Sequence, residues 1–179
     1  EAWQEERNNS FSLIVHVGHT SQREAMTLAR HAQNIGVSAI ASVPCSYHKA
    51  ANIDAHADYF RVIASAAPDT PFYVYDIPSI SNVNLDTSNL LKHLCNSMDQ
   101  FAGVKFSHFD FVLLQECMAI DPGRCEVLFG VDEMLLGALA FGVKGAVGST
   151  YNFASPLYLR LLEAAKKDHE AAKAAVLEL

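Results

Sequence analysis

One lysine stands where a lysine is costly. The stretch "FAGVKFSHFD" (101–110) sets Lys105 among Phe101, Ala102, Val104 and Phe106, in a run that otherwise reads as a buried strand. An unpaired ammonium loses its hydration in such a place, so a chain either excludes lysine or uses it. Two readings are open. In one, the strand lies at a sheet edge and Lys105 reaches solvent. In the other, Lys105 is a desolvated amine of lowered pKa that attacks a ketone, and the resulting iminium is the electron sink for breaking an adjacent C–C bond. A phenol shuttles the proton in such chemistry, and Tyr75 closes another apolar run, "PFYVYDI" (71–77).

Other polar residues end apolar runs in the same manner. His16 and Gly18 end "FSLIVHVG" (11–18), and Ser107 follows the lysine by two. Gly130, Asp132 and Glu133 end "CEVLFGV" (125–131) and open the next segment. Gly148, Ser149, Thr150, Tyr151 and Asn152 follow "GAVGS" (145–149). Asp132 and Glu133 also have the ordinary positions of a helix cap and first-turn acid. His16 with His19, and His48 with His56, lack a third ligand at a convincing spacing, so no metal site is expected. "GVKGAVG" (142–148) is glycine-rich, but it runs into and through a strand rather than opening a helix, and is no dinucleotide loop.

The elements that must position these residues alternate. Strands are expected at 11–18, 37–43, 71–77, 101–107, 125–131 and 145–149. Helices are expected between them, at 21–35, around Ile53 to Ala64, and at 86–98, 110–120 and 132–141. Ser21 and Glu24 have capping-box spacing, and Ser155 with Pro156 reads as the start of the last helix. Near-continuous apolar strands alternating with amphipathic helices make a parallel sheet covered by helices. An open doubly wound sheet and a (β/α)8 barrel both fit. A whole barrel takes about 250 residues, and this chain has 179. Both ends, "EAWQEERNNS" and "KKDHEAAKAAVLEL", read as helical, and the chain is expected to be a fragment forming one partial domain over 1–179.

Half the residues are hydrophobic and 18% are charged, a globular composition. The net charge of −7 and the lack of a Lys/Arg cluster give no footprint for nucleic acid or anionic membrane. No apolar run approaches the roughly 20 residues needed to span a bilayer, and no leader pattern opens the chain. The scattered cysteines, Cys45, Cys95, Cys117 and Cys125, fit free thiols in a reducing cytoplasm.

Five stretches, "IVHVG" (14–18), "YDIPS" (75–79), "GVKFS" (103–107), "FGVDE" (129–133) and "GAVGSTYN" (145–152), occur in that order, each at a strand end. Together they resemble the dihydrodipicolinate synthase/N-acetylneuraminate lyase superfamily of (β/α)8 class I aldolases, over nearly the whole chain. "KFS", "GVDE" and "GSTYN" look like its sialic acid lyases. The synthases usually carry an Arg two residues after the Pro of Tyr-x-x-Pro, where this chain has Ile80. The resemblance implies a partial TIM barrel covering about strands 3–8. It implies a cofactor-free cleavage of N-acetylneuraminate to N-acetylmannosamine and pyruvate, and a cytoplasmic homotetramer. Lys105 would form the imine and Tyr75 would relay the proton. Gly130, Asp132, Glu133, Ser149 and Ser107 would hold the sugar. Another 2-keto acid aldolase of the superfamily, or a non-catalytic remnant, is the alternative. Asp76 departs from the pattern, which has Asn or His there. The family's Gly-rich turn for the pyruvate carboxylate is not in this sequence.

Overall fold

The structure, a computed structural model, describes residues 1–6, 11–167, 172 and 176. The last expected helical stretch, 166–179, therefore lies largely outside the described residues, as do Arg7 to Ser10.

Six strands form one sheet: β1 Ile14–His16, β2 Ala39–Ser42, β3 Phe72–Asp76, β4 Phe101–Phe106, β5 Glu126–Phe129 and β6 Gly145–Ala146. All neighbours are parallel and the order is β1-β2-β3-β4-β5-β6. A doubly wound sheet reverses its strand order at a switch point. This one never does. Right-handed crossovers that always add a strand on the same side put every helix on one face and leave the other as a barrel interior. The sheet is thus six strands of an eight-stranded β/α barrel.

The helices are α1 Ala2–Glu5, α2 Gln22–Asn34, α3 Ile53–Ala64, α4 Pro78–Ser81, α5 Thr87–Ser97, α6 Phe111–Met118, α7 Leu135–Ala140 and α8 Tyr151–Lys167. Their starts follow local chemistry. The Ser21 hydroxyl accepts from the Glu24 N–H, Asn52 accepts from Ala55, and Asp110 accepts from Val112 and Leu113. The core lies between helices and sheet. Ile40, Phe72, Val74, Val104, Phe106 and Phe129 pack there with Ala25, Phe60, Leu90, Leu94 and Leu114, all fully buried. Each large side chain so placed contributes about 1.5–3 kcal/mol.

Two expectations at the C-terminal end need correction. Ser155 does not cap the last helix. The Thr150 carbonyl already accepts from Phe153 and Ala154, so α8 starts at Tyr151 and Pro156 falls inside it. The segment expected as one helix over 132–141 opens instead as a 3-10 turn, Asp132–Met134, and only then becomes α7. Asp132 makes no cap bond. Its carboxylate is committed elsewhere, as described below.

The four cysteines are free. Burial raises the Cys95, Cys117 and Cys125 thiols, Cys117 to about 12, so these three are poor nucleophiles. Among the described residues no helix is long and apolar enough to cross a membrane.

Candidate active site

The placement of Lys105 depends on a bulge. Pairing of β3 with β4 begins Phe72 to Phe101, then shifts so that Tyr73 faces Gly103 and Ala102 is the extra residue. A one-residue slip exchanges the faces of everything that follows. Lys105 therefore stands opposite Tyr75 on one side and Leu128 on the other, facing the barrel interior. Val104 and Phe106 take the helix side, both fully buried. Gly103 makes the slip feasible. Its φ is +151°, and a Cβ there would overlap the backbone of Glu126. β4 is an interior strand, so the edge-strand reading of Lys105 fails.

The half-buried Lys105 Nζ lies 4.1 Å from the centroid of the Tyr75 ring. Such a contact is worth roughly 0.5–2 kcal/mol and aims the amine along the interior wall. On the other side of Tyr75, the His16 ring meets it edge-on, with centroids 6.1 Å apart. Burial, and then the charge of Lys105, hold the His16 imidazole below its ordinary pKa, so it is neutral at neutral pH. His16 thus joins this end of the sheet as its position at the end of an apolar run implies, and not as half of a metal pair. Among the described residues no cluster of three or more ligands suits a metal.

One register level down, the Tyr73 hydroxyl donates to Glu126 Oε2 at 2.7 Å. Burial and this carboxylate push the Tyr73 phenol up. It stays protonated.

Ser107 and Gly130 flank Lys105 on the exit side. Ser107 is buried and its hydroxyl has no partner. A Cβ at Gly130 would overlap that hydroxyl and come 3.2 Å from Lys105 Cε. The missing side chain thus leaves a place that the unsatisfied Ser107 hydroxyl fills, next to the Lys105 stem. Tyr75, Lys105, Ser107 and Gly130 are the expected residues that the fold brings together.

The remaining three diverge. Asp132 is buried, and its Oδ2 accepts from the Thr150 N–H at 2.9 Å and from the Thr150 hydroxyl at 2.6 Å. It ties the turn after β5 to the start of α8. Gly148 is obligatory beside it, since a Cβ there would overlap the carboxylate. Glu133 and Ser149 are exposed at the same end of the sheet.

A sequential parallel β/α sheet with its reactive side chains gathered at the C-terminal strand ends defines a barrel of the enzyme-bearing type. The sequence matches the dihydrodipicolinate synthetase family over residues 1–178, and the chain belongs to that family. N-acetylneuraminate lyase of Danio rerio is 41% identical over 153 residues, which is 85% of this chain and 50% of that protein. The solved N-acetylneuraminate lyase (sialic acid aldolase) from Aliivibrio salmonicida superposes with a TM-score of 0.93 at 36% identity, covering 98% of this chain and 59% of that one. A Ruminococcus gnavus sialic acid aldolase described as a catalytic lysine mutant superposes at 0.89 with 28% identity, over 97% of this chain and 56% of that one. The chain spans about half the length of the curated relatives it matches.

Proposed function

We propose that this protein is a class I aldolase that cleaves N-acetylneuraminate to N-acetylmannosamine and pyruvate, reversibly. The observation that carries the reading is the Lys105 amine held over the Tyr75 ring at the C-terminal end of adjacent barrel strands. The likeness to sialic acid lyases supports the choice of substrate.

Lys105 in its amine form attacks the C2 ketone of the open-chain sugar acid, and loss of water leaves an iminium. Tyr75, relaying a proton, takes it from the C4 hydroxyl. The C3–C4 electron pair moves into the iminium, and the aldehyde sugar leaves. The enamine is then protonated at C3, and water hydrolyses the imine to return pyruvate and the free amine. The iminium is itself the electron sink, so no cofactor enters the scheme. The Tyr75 face holds Lys105 in place, and neutral His16 adds no further cation beside it.

Ser107 offers its unsatisfied hydroxyl to the sugar, and Gly130, without a side chain, makes room for that hydroxyl beside Lys105. Glu133 and Ser149, exposed along the same rim, take more distant hydroxyls, and Asp132 holds that rim in place while facing it. The exposed Ile80 leaves the site without the cation that a dicarboxylate would require there. A homotetramer in the cytoplasm accompanies this reading.

The test is release of pyruvate from N-acetylneuraminate, set against other 2-keto-3-deoxy sugar acids. Preference for N-acetylneuraminate is expected. Turnover of a shorter keto acid with none of N-acetylneuraminate would overturn the substrate assignment.

A further inference from the structure

Behind the two proposed catalytic side chains, on the helix side of the sheet, lies a polar pair that the reaction does not use. Asp76 follows Tyr75 and is fully buried. Its Oδ2 accepts from His108 Nε2 at 2.6 Å and from the Thr87 hydroxyl at 2.5 Å. An ionised carboxylate only accepts, so Nε2 carries the hydrogen. Oδ1 has no partner. The His108 ring also stacks on Phe106, with centroids 4.9 Å apart and planes at 24°. The main chain repeats the link, since the Asp76 carbonyl accepts from the Ser107 N–H at 2.9 Å.

Asp76 therefore grips both residues that follow β4, Ser107 through its backbone and His108 through its carboxylate. Thr87, at the first position of α5, braces that carboxylate from behind. A buried carboxylate with one oxygen unsatisfied is expensive, and apolar packing would serve stability as well or better. What the pair does supply is orientation. It fixes the chain at the residue whose hydroxyl lies against Gly130, next to the Lys105 stem.

We infer that Asp76 and His108 are a positioning pair that sets the Ser107 hydroxyl for the sugar portion of the substrate, and so governs sugar affinity without touching the reacting atoms. This rests on the aldolase reading.

The experiment uses the protein at the length its gene encodes. It compares His108→Ala, His108→Gln and the exchanged pair Asp76→His with His108→Asp, against the single Asp76→His. Two quantities are read: borohydride-trapped pyruvate on Lys105, and KM and kcat for sugar cleavage. His108→Ala should trap pyruvate like the parent while KM for N-acetylneuraminate rises about tenfold. His108→Gln, which keeps a donor, and the exchanged pair, which keeps a donor and a carboxylate acceptor, should return KM to within about threefold of the parent. Unchanged KM in His108→Ala overturns the inference. So does equal loss of trapping and sugar binding in His108→Ala and His108→Gln, which would mark the pair as structural only. Absence of any trapped pyruvate in the parent overturns the aldolase reading beneath it, and is distinguished by that first measurement.

Discussion

Lys105 lies over the ring of Tyr75, Nζ to centroid 4.1 Å, because a single extra residue on β4 turns both side chains to the same face. Without Ala102 as the bulged residue, the alternation begun at the Phe72–Phe101 pair would send Lys105 into the helix layer and Val104 into the barrel.

The bulge is therefore predicted to be intolerant. Gly103→Ala forces a side chain into a φ of +151° and against the Glu126 backbone, which cannot withdraw as a side-chain tip can. Destabilisation of at least about 2 kcal/mol is expected from strain and overlap together. Chemical denaturation checks it. A variant as stable as the parent would mean that the register does not depend on this glycine.

Gly130→Ala should behave differently. The group it meets first is the rotatable Ser107 hydroxyl, with Lys105 Cε at 3.2 Å and the Phe106 carbonyl at 3.3 Å. Stability should change by no more than about 1 kcal/mol, while sugar cleavage falls at least tenfold as the Ser107 hydroxyl is displaced beside Lys105. Steady-state kinetics beside a thermal melt separates the two effects.

Asp132→Ala should cost stability. Two donors on Thr150 lose a carboxylate acceptor, a loss of about 3 kcal/mol for charge-assisted bonds in a buried place. Glu133→Gln, on an exposed side chain, should leave the unfolding midpoint unchanged and raise KM for the sugar several-fold. If the two variants showed the same stability, the division of labour between these neighbouring acids would be wrong.

Acid should loosen the strand ends. The folded-state pKa of His16 is lowered, first by burial and then by Lys105. His56 is lowered too, by burial, partly offset by Asp76. A lowered histidine binds its proton more readily when unfolded. Stability is then at its plateau above the unfolded value near 6.5 and falls as pH drops from there toward the folded values. Urea unfolding at pH 7.5 and 5.5 should show this fall, and His16→Phe should flatten part of it. An unchanged pH slope in that variant would remove His16 from the account.

Much of this was legible from residue order. Strand and helix alternation follows from apolar periodicity, and Ser21 caps as its spacing with Glu24 implies. Lys105 stood out through its apolar neighbours, and sequential strand order then decided for the barrel over the doubly wound sheet. The bulge was not legible, because an Ala-Gly step inside a strand carries no mark of which partner it slips against. The Asp132–Thr150 link was hidden for a similar reason. An Asp followed by Glu before an apolar helix looks the same whether its carboxylate caps that helix or reaches 18 residues along the chain. Ser155-Pro156 misled because Thr150, fixed by that same link, starts the helix a turn earlier.

The central claim is that Lys105 is a Schiff-base nucleophile. Incubation with pyruvate, reduction with borohydride and peptide mass spectrometry would locate the adduct. The account predicts one pyruvyl mark, on Lys105, lost in Lys105→Ala. A folded protein that carries no mark, or carries it on another lysine, would contradict it.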